Sequence, residues 1–140
     1  MAIDLKTLIE LLNRDLSLEY TAIVQYAQHS GVLTGAEYGD ITKEIKIHAT
    51  QELQHAIALA EQIDYLDGFP TVEVPPAKTS RDNREMLEQD LEGELDAVAR
   101  YKQRIIQTEE LQEMALAQKL REILAVEQEH AMDLKNALGR

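Results

Sequence analysis

Apolar residues recur along most of this chain at alternating spacings of three and four, the period that places them on one face of an α-helix. Leu5, Leu8, Leu12, Leu16 and Ile23 make one such stripe, and Ile41, Ile45, Leu59, Ile63 and Leu66 a second. Leu87, Leu91, Val98, Tyr101 and Ile105 make a third, and Leu116, Leu120, Ile123, Leu134 and Leu138 a fourth. They predict four long helices, over residues 4–31, 35–67, 81–108 and 110–138, in an all-α chain whose 140 residues form a single domain. Asp4 suits the N-cap of the first helix, Thr34-x-x-Glu37 reads as a capping box for the second, and the third begins between Ser80 and Asp82. Gly31, the Asp67-Gly68 pair with Pro70, a short turn over 108–110, and Gly139 mark the helix ends.

Residues 67–80 contain Pro70, Pro75 and Pro76 and have no periodicity of their own. About 14 extended residues at roughly 3.3 Å each can span a helix of about 40 Å. The third helix can therefore start at the far end and run parallel to the second. This gives a four-helix bundle with one long crossover between helices two and three, not an up-down-up-down bundle.

Polar residues interrupt the stripes at related places. Glu19 lies between Leu16 and Ile23, while Glu52 and His55 fall on the second stripe, Glu94 on the third, and Glu127 and His130 on the fourth. A constant shift of 75 positions carries Glu19 to Glu94, Glu52 to Glu127 and His55 to His130. The surrounding segments repeat as well. DLSLEYTAIVQY at 15–26 aligns with DLEGELDAVARY at 90–101, and ELQHAIAL at 52–59 with EQEHAMDL at 127–134. A Glu and a His three apart on a helix reach one point, and a pseudo-twofold axis would bring both sets to one centre. Four carboxylates buried together would repel one another unless some stayed protonated. Two divalent cations balance their charge, and carboxylate with imidazole suits Fe, Mn or Zn.

Composition narrows the setting. The net charge of −12 disfavours nucleic acid and anionic membrane surfaces as partners. With no Cys there is no disulfide framework, thiolate metal site or thiol nucleophile. No apolar run approaches a membrane span and no signal-peptide pattern opens the chain, so a cytoplasmic location is expected.

One Glu from each of two helices and a Glu-x-x-His from each of the other two is the ligand pattern of ferritin-like di-iron bundles. On Glu19 to Tyr26, ELQH at 52–55 and DLEGELD at 90–96, the chain resembles the ferritin-like superfamily, most closely bacterioferritin, over nearly its whole length. The resemblance implies a ferroxidase centre holding two iron ions per chain. One would take Glu19 and His55, the other Glu94 and His130, with Glu52 and Glu127 bridging and the metals about 3.5–4 Å apart. Mn or Zn are alternative occupants. It implies oxidation of Fe(II) by O2 or H2O2, and iron storage or detoxification in a homo-oligomeric shell.

Three departures qualify that picture. The Met that holds the haem of bacterioferritin follows the helix-two Glu, and here that position is Leu53, so no such haem is expected. The short fifth helix of bacterioferritins has no counterpart before Arg140, which favours a 12-subunit shell of the Dps-like mini-ferritin kind over a 24-subunit shell or a dimer. Ile47 and Gln51 stand where bacterioferritin can carry a His and an Asp near the centre, so iron exchange with the cavity is expected to differ. The rivals are a rubrerythrin-like dimeric di-iron peroxidase or oxidase, disfavoured by the lack of Cys, and a non-catalytic metal-binding bundle.

Other residues leave alternatives open. Tyr26 and Tyr101 either hydrogen-bond the site, supply an electron, or pack at a seam. Ligating histidines usually give their second N–H to an acceptor, which suggests Asp90 for His55 and Asp15 for His130, against plain helix-surface aspartates. His29 and His48 read as core or surface histidines, not ligands. Gly93, unfavourable within a helix, either admits close helix approach or has no such role.

Overall fold

The computed structural model describes residues 2–140, in which α1 (Leu5–Val32), α2 (Gly39–Tyr65), α3 (Asn83–Glu110) and α4 (Met114–Ala137) are the long elements. Among the described residues there is no strand, and no helix is long and apolar enough to cross a membrane. Each helix packs on two others, in the ring order α1, α2, α4, α3. The α1–α3 seam is therefore opposite the α2–α4 seam.

The ends of the helices follow local chemistry. Asp4 accepts from the Thr7 N–H at 2.7 Å and Asp82 from the Glu85 N–H at 2.8 Å, so both are N-caps. The Thr34-x-x-Glu37 capping box does not form. Gly35 turns the chain out of helical geometry at φ 99, a 3₁₀ turn follows at Ala36–Tyr38, and α2 begins at Gly39, not at 35. Thr34 instead exchanges hydrogen bonds with the Asn83 side chain, at 3.1 and 2.8 Å, pinning the α1–α2 corner to the first residue of α3. The α3–α4 turn lies at 111–113, not 108–110. Gln112 takes φ 59 and the Glu113 N–H bonds the Thr108 carbonyl at 2.9 Å. No Gly or Pro marks that turn, so the sequence places it only to within a few residues. Gly31 lies inside α1, one residue short of its end, and Leu5, at the start of the first stripe, is exposed.

The connection from α2 to α3 is the predicted long crossover, and α1 holds it in place. Asn13 bonds Phe69 and Thr71, Thr21 bonds the Pro75 carbonyl, Gln25 accepts from the Lys78 N–H, and His29 Nε2 meets the Lys78 carbonyl at 3.0 Å. These contacts advance along both segments together, so the crossover runs parallel to α1 and delivers α3 antiparallel to it.

Two apolar clusters fill the bundle. One contains Leu12, Leu16, Leu59, Ala97 and Ile123, the other Ile45, Met86, Leu91, Ala131 and Leu134. On every helix the polar interruption falls between a residue of one cluster and a residue of the other, so a polar layer is sealed between two apolar plugs.

Two glycines give opposite expectations. A methyl at Gly68 would sit 2.6 Å from Ile9 Cγ2 and 3.0 Å from Ile63 Cγ2, whereas one at Gly93 would meet nothing within 4 Å, so close helix approach does not explain Gly93. Gly68→Ala should cost about 1–3 kcal/mol by overpacking. Gly93→Ala should raise stability by about 1 kcal/mol through helix propensity. Urea denaturation of both variants beside the parent checks the pair of signs.

Candidate metal centre

All six residues of the repeat-related set meet in the polar layer, none more than 8% exposed. They form two quartets, Glu19, Glu52, His55, Glu127 and Glu52, Glu94, Glu127, His130, each offering ligand atoms within 4.8 Å of one another. Glu52 and Glu127 belong to both. His55 Nδ1 lies 3.1 Å from Glu52 Oε1, 3.4 Å from Glu127 Oε1 and 3.6 Å from Glu19 Oε2. His130 Nδ1 lies 3.3 Å from Glu94 Oε1, 3.4 Å from Glu127 Oε1 and 3.6 Å from Glu52 Oε1. The same two oxygens, Glu52 Oε1 and Glu127 Oε1, thus face both histidines.

Five buried atoms of the set, Glu19 Oε2, Glu52 Oε1, His55 Nδ1, Glu94 Oε2 and Glu127 Oε1, have no hydrogen-bond partner. Unsatisfied buried polar atoms are uncommon and each calls for an explanation. Here they converge, with four carboxylates and two imidazoles, on one small volume. That donor set fits two hard or borderline divalent cations.

The neighbours hold these side chains in orientation. Tyr26 OH donates to Glu94 Oε1 at 2.6 Å and Tyr101 OH to Glu19 Oε1 at 2.7 Å. Burial pushes both phenols well above their ordinary pKa, so they stay protonated and remain donors. The expected aspartate partners of the histidines are not there. Asp15 faces α3 and binds Arg100 Nη1 at 2.6 Å and Arg104 Nε at 2.7 Å. Asp90 faces α1, with Gln25 Nε2 and His29 Nδ1 each at 2.9 Å. An Asp one turn before the ligand Glu points across the α1–α3 seam, away from the histidines on α2 and α4. The shift of 75 carries Gln25 to Arg100 and His29 to Arg104, so the repeat itself contained this signal. His29 is thus a structural residue bridging Asp90 and the crossover.

Gln51 takes the place expected of Asp15, its Oε1 lying 2.6 Å from His130 Nε2. His48 stacks on His130, ring centroids 3.8 Å apart at 21°, with the Tyr26 ring edge-on at 5.2 Å. Burial and the neighbouring His130 pull the His48 pKa down to about 4. A cavity of about 90 Å³ enters from the α1–α3 seam past Thr21 and Gly93 and reaches Glu52, Glu94 and Glu127.

The metal-free layer is electrostatically frustrated. Burial, reinforced by Glu127, raises Glu19 to about 6, and burial likewise raises Glu52 and Glu94. For His130 burial acts downward, but Glu127 and Glu94 outweigh it and lift the ring to about 9; His55 is raised in the same way by Glu19. Each of these groups binds its proton more tightly when folded, so its contribution to stability is present at low pH and falls away as pH rises through the folded value. In chelator, the melting temperature should therefore fall between about pH 5 and pH 9, while metal loading should raise it and flatten the decline, because bound cations displace those protons. Thermal melts across pH with and without divalent metal check this; a chelated protein that grows more stable as pH rises would contradict it.

Comparison with known proteins gives the geometry a family. The Ferritin family model, described as a ferritin-like domain, matches residues 9–140. The chain is similar to the bacterioferritin of Brucella melitensis biotype 1, 34% identical over 131 residues, covering 93% of this chain and 81% of that one. Among solved structures it is similar to a ferritin-like di-iron-carboxylate protein from Bacillus anthracis strain Ames, with a TM-score of 0.93, 35% identity and 99% of each chain covered. It is also similar to the dodecameric thioferritin from Bacteroides fragilis, a bacterioferritin-related protein, with a TM-score of 0.90, 31% identity, and 98% of this chain and 87% of that one covered. A one-crossover bundle with this buried carboxylate and histidine layer, matched along almost its full length, belongs to the ferritin-like family.

Proposed function

We propose that this chain is a single-domain di-iron ferroxidase of iron storage or detoxification. Glu19 and His55 would hold one Fe(II) and Glu94 and His130 the other, with Glu52 and Glu127 shared between them. The observation that carries this is the sharing of Glu52 and Glu127 by two quartets of potential ligands, five of whose buried atoms have no hydrogen-bond partner. The bound pair of irons supplies two electrons to O2 or H2O2. The protein's part is positioning. Tyr26 and Tyr101 fix the terminal glutamates, Gln51 fixes the His130 ring, and the apolar plugs close the layer at its two ends. The cavity beside Gly93 gives a small oxidant a way in. Leu53 offers no ligand atom for a haem iron.

The dodecameric state of the Bacteroides relative supports a 12-subunit shell for this chain too. Sizing in solution checks it, and a particle no larger than a dimer would overturn the storage reading. Anaerobic Fe(II) titration should fill the central layer with about two irons per chain, oxidised promptly when O2 is admitted. Glu52→Ala and His130→Ala should each slow the initial oxidation at least about tenfold, since even loss of a supporting residue costs that much at metal sites. Parent-like rates in both variants would sink the assignment.

A further inference from the structure

A second cluster of metal-ligating side chains lies outside the six-residue layer, on the α2–α4 seam. Glu44, His48 and Asp133 present ligand atoms within 4.8 Å of one another. Two atoms bound to one ion at about 2.1 Å cannot be more than about 4.2 Å apart, so a small movement of the exposed Glu44 side chain closes the set. His48 is 1% exposed. Its Nε2 faces Asp133 Oδ2 at 3.2 Å, and its Nδ1 has no partner at all. The one hydrogen bond this buried imidazole makes is to Asp133, within the same cluster, so no contact outside the cluster satisfies its ring nitrogens.

The cluster continues the ladder of ligands that leads to the centre. On α2, Glu44, His48 and Glu52 follow one another at single-turn spacing. On α4, Asp133, His130 and Glu127 do the same. The rungs meet where the His48 ring stacks on His130, whose Nδ1 faces Glu94 and Glu127. Outside the cluster, a groove of about 200 Å³ is lined by Glu37, Asp40, Glu44 and Asp133, and none of its lining side chains is basic. Like-signed walls of this kind concentrate cations.

The cluster also breaks the internal repeat. The shift of 75 that duplicates the six central residues carries Glu44 and His48 to Lys119 and Ile123, and Asp133 returns to Ala58. No ligand set exists at the related place beside His55. The feature therefore belongs to the His130 side alone and is not a by-product of duplication.

We propose that Glu44, His48 and Asp133 form a separate binding site for a divalent first-row cation, seated between the acidic groove and His130. Two carboxylates and one imidazole, with the open side left to water, suit Fe(II), Mn(II), Co(II) or Zn(II). Its role as a staging position for iron rests on the ferroxidase reading above; the site itself does not.

Anaerobic titration of the metal-free protein with Co(II), followed by its visible absorption, should reach about three ions per chain. The double variant Glu44→Gln, Asp133→Asn should lose one of them and keep the melting temperature of the metal-free parent. Glu52→Ala should lose the central ions and retain the outer one. At less than one Fe(II) per chain, the double variant should oxidise iron about tenfold more slowly, with the final capacity of the centre unchanged. A parent that binds only the two central ions, or a double variant that binds as many as the parent, would overturn the proposal. If instead Glu52→Ala binds as many ions as the parent while the double variant loses one, the di-iron reading fails and the outer site stands.

Discussion

Carboxylates taken out of water repel one another more strongly as the surrounding dielectric falls. The layer formed by Glu19, Glu52, Glu94 and Glu127 places four of them within reach of two shared points. Two imidazoles and two phenols soften this repulsion without removing it, since five ligand atoms are left without partners. The apolar plugs on either side hold the layer together despite the repulsion. The bundle is thus stable as a scaffold and unsatisfied at its middle, the condition under which cation binding and folding stability become linked.

The supporting polar residues show a second tier of the same logic. Asp15 and Asp90 are nearly inaccessible, and each is neutralised or hydrogen-bonded across the α1–α3 seam, one by two arginines, the other by a glutamine and a histidine. The two halves of the chain use one plan with different chemistry. The arginine pair fixes charge permanently, whereas the His29 arrangement also ties the crossover to the core through the Lys78 carbonyl. On the α2–α4 side the asymmetry is sharper, with His48 stacked on His130 and no equivalent beside His55.

Much of this was legible in the sequence because two periodicities coincide. The apolar stripes gave the helices, and the shift of 75 gave the six residues that meet in the layer. The crossover was readable from its prolines and length. What escaped reading depended on direction, not spacing. Helical period locates Asp15 and Asp90 one turn before a ligand but does not say which seam they face, and they face the arginines and His29, not the ligand histidines. Gln51 stands out in the sequence only as a departure from a family pattern, although its amide contacts His130. The capping box fails because a glycine at φ 99 sits inside it, and the α3–α4 turn, expected over 108–110, lies at 111–113 because a glutamine there takes the left-handed conformation usually left to glycine.

The crossed phenols have a bearing on how such a chain can change over time. Tyr26 on α1 orients Glu94 on α3, and Tyr101 on α3 orients Glu19 on α1. Each half of the duplicated sequence therefore supplies the support for the other half's ligand, so neither helical hairpin carries a finished half-site. A lone hairpin would have to pair with a copy of itself to complete the same contacts, which is the arrangement a gene duplication and fusion would have captured. Once fused, the halves can diverge only where the exchanged contacts allow, and the surviving symmetry of Glu19 with Glu94 and Tyr26 with Tyr101 marks the positions where that freedom is smallest.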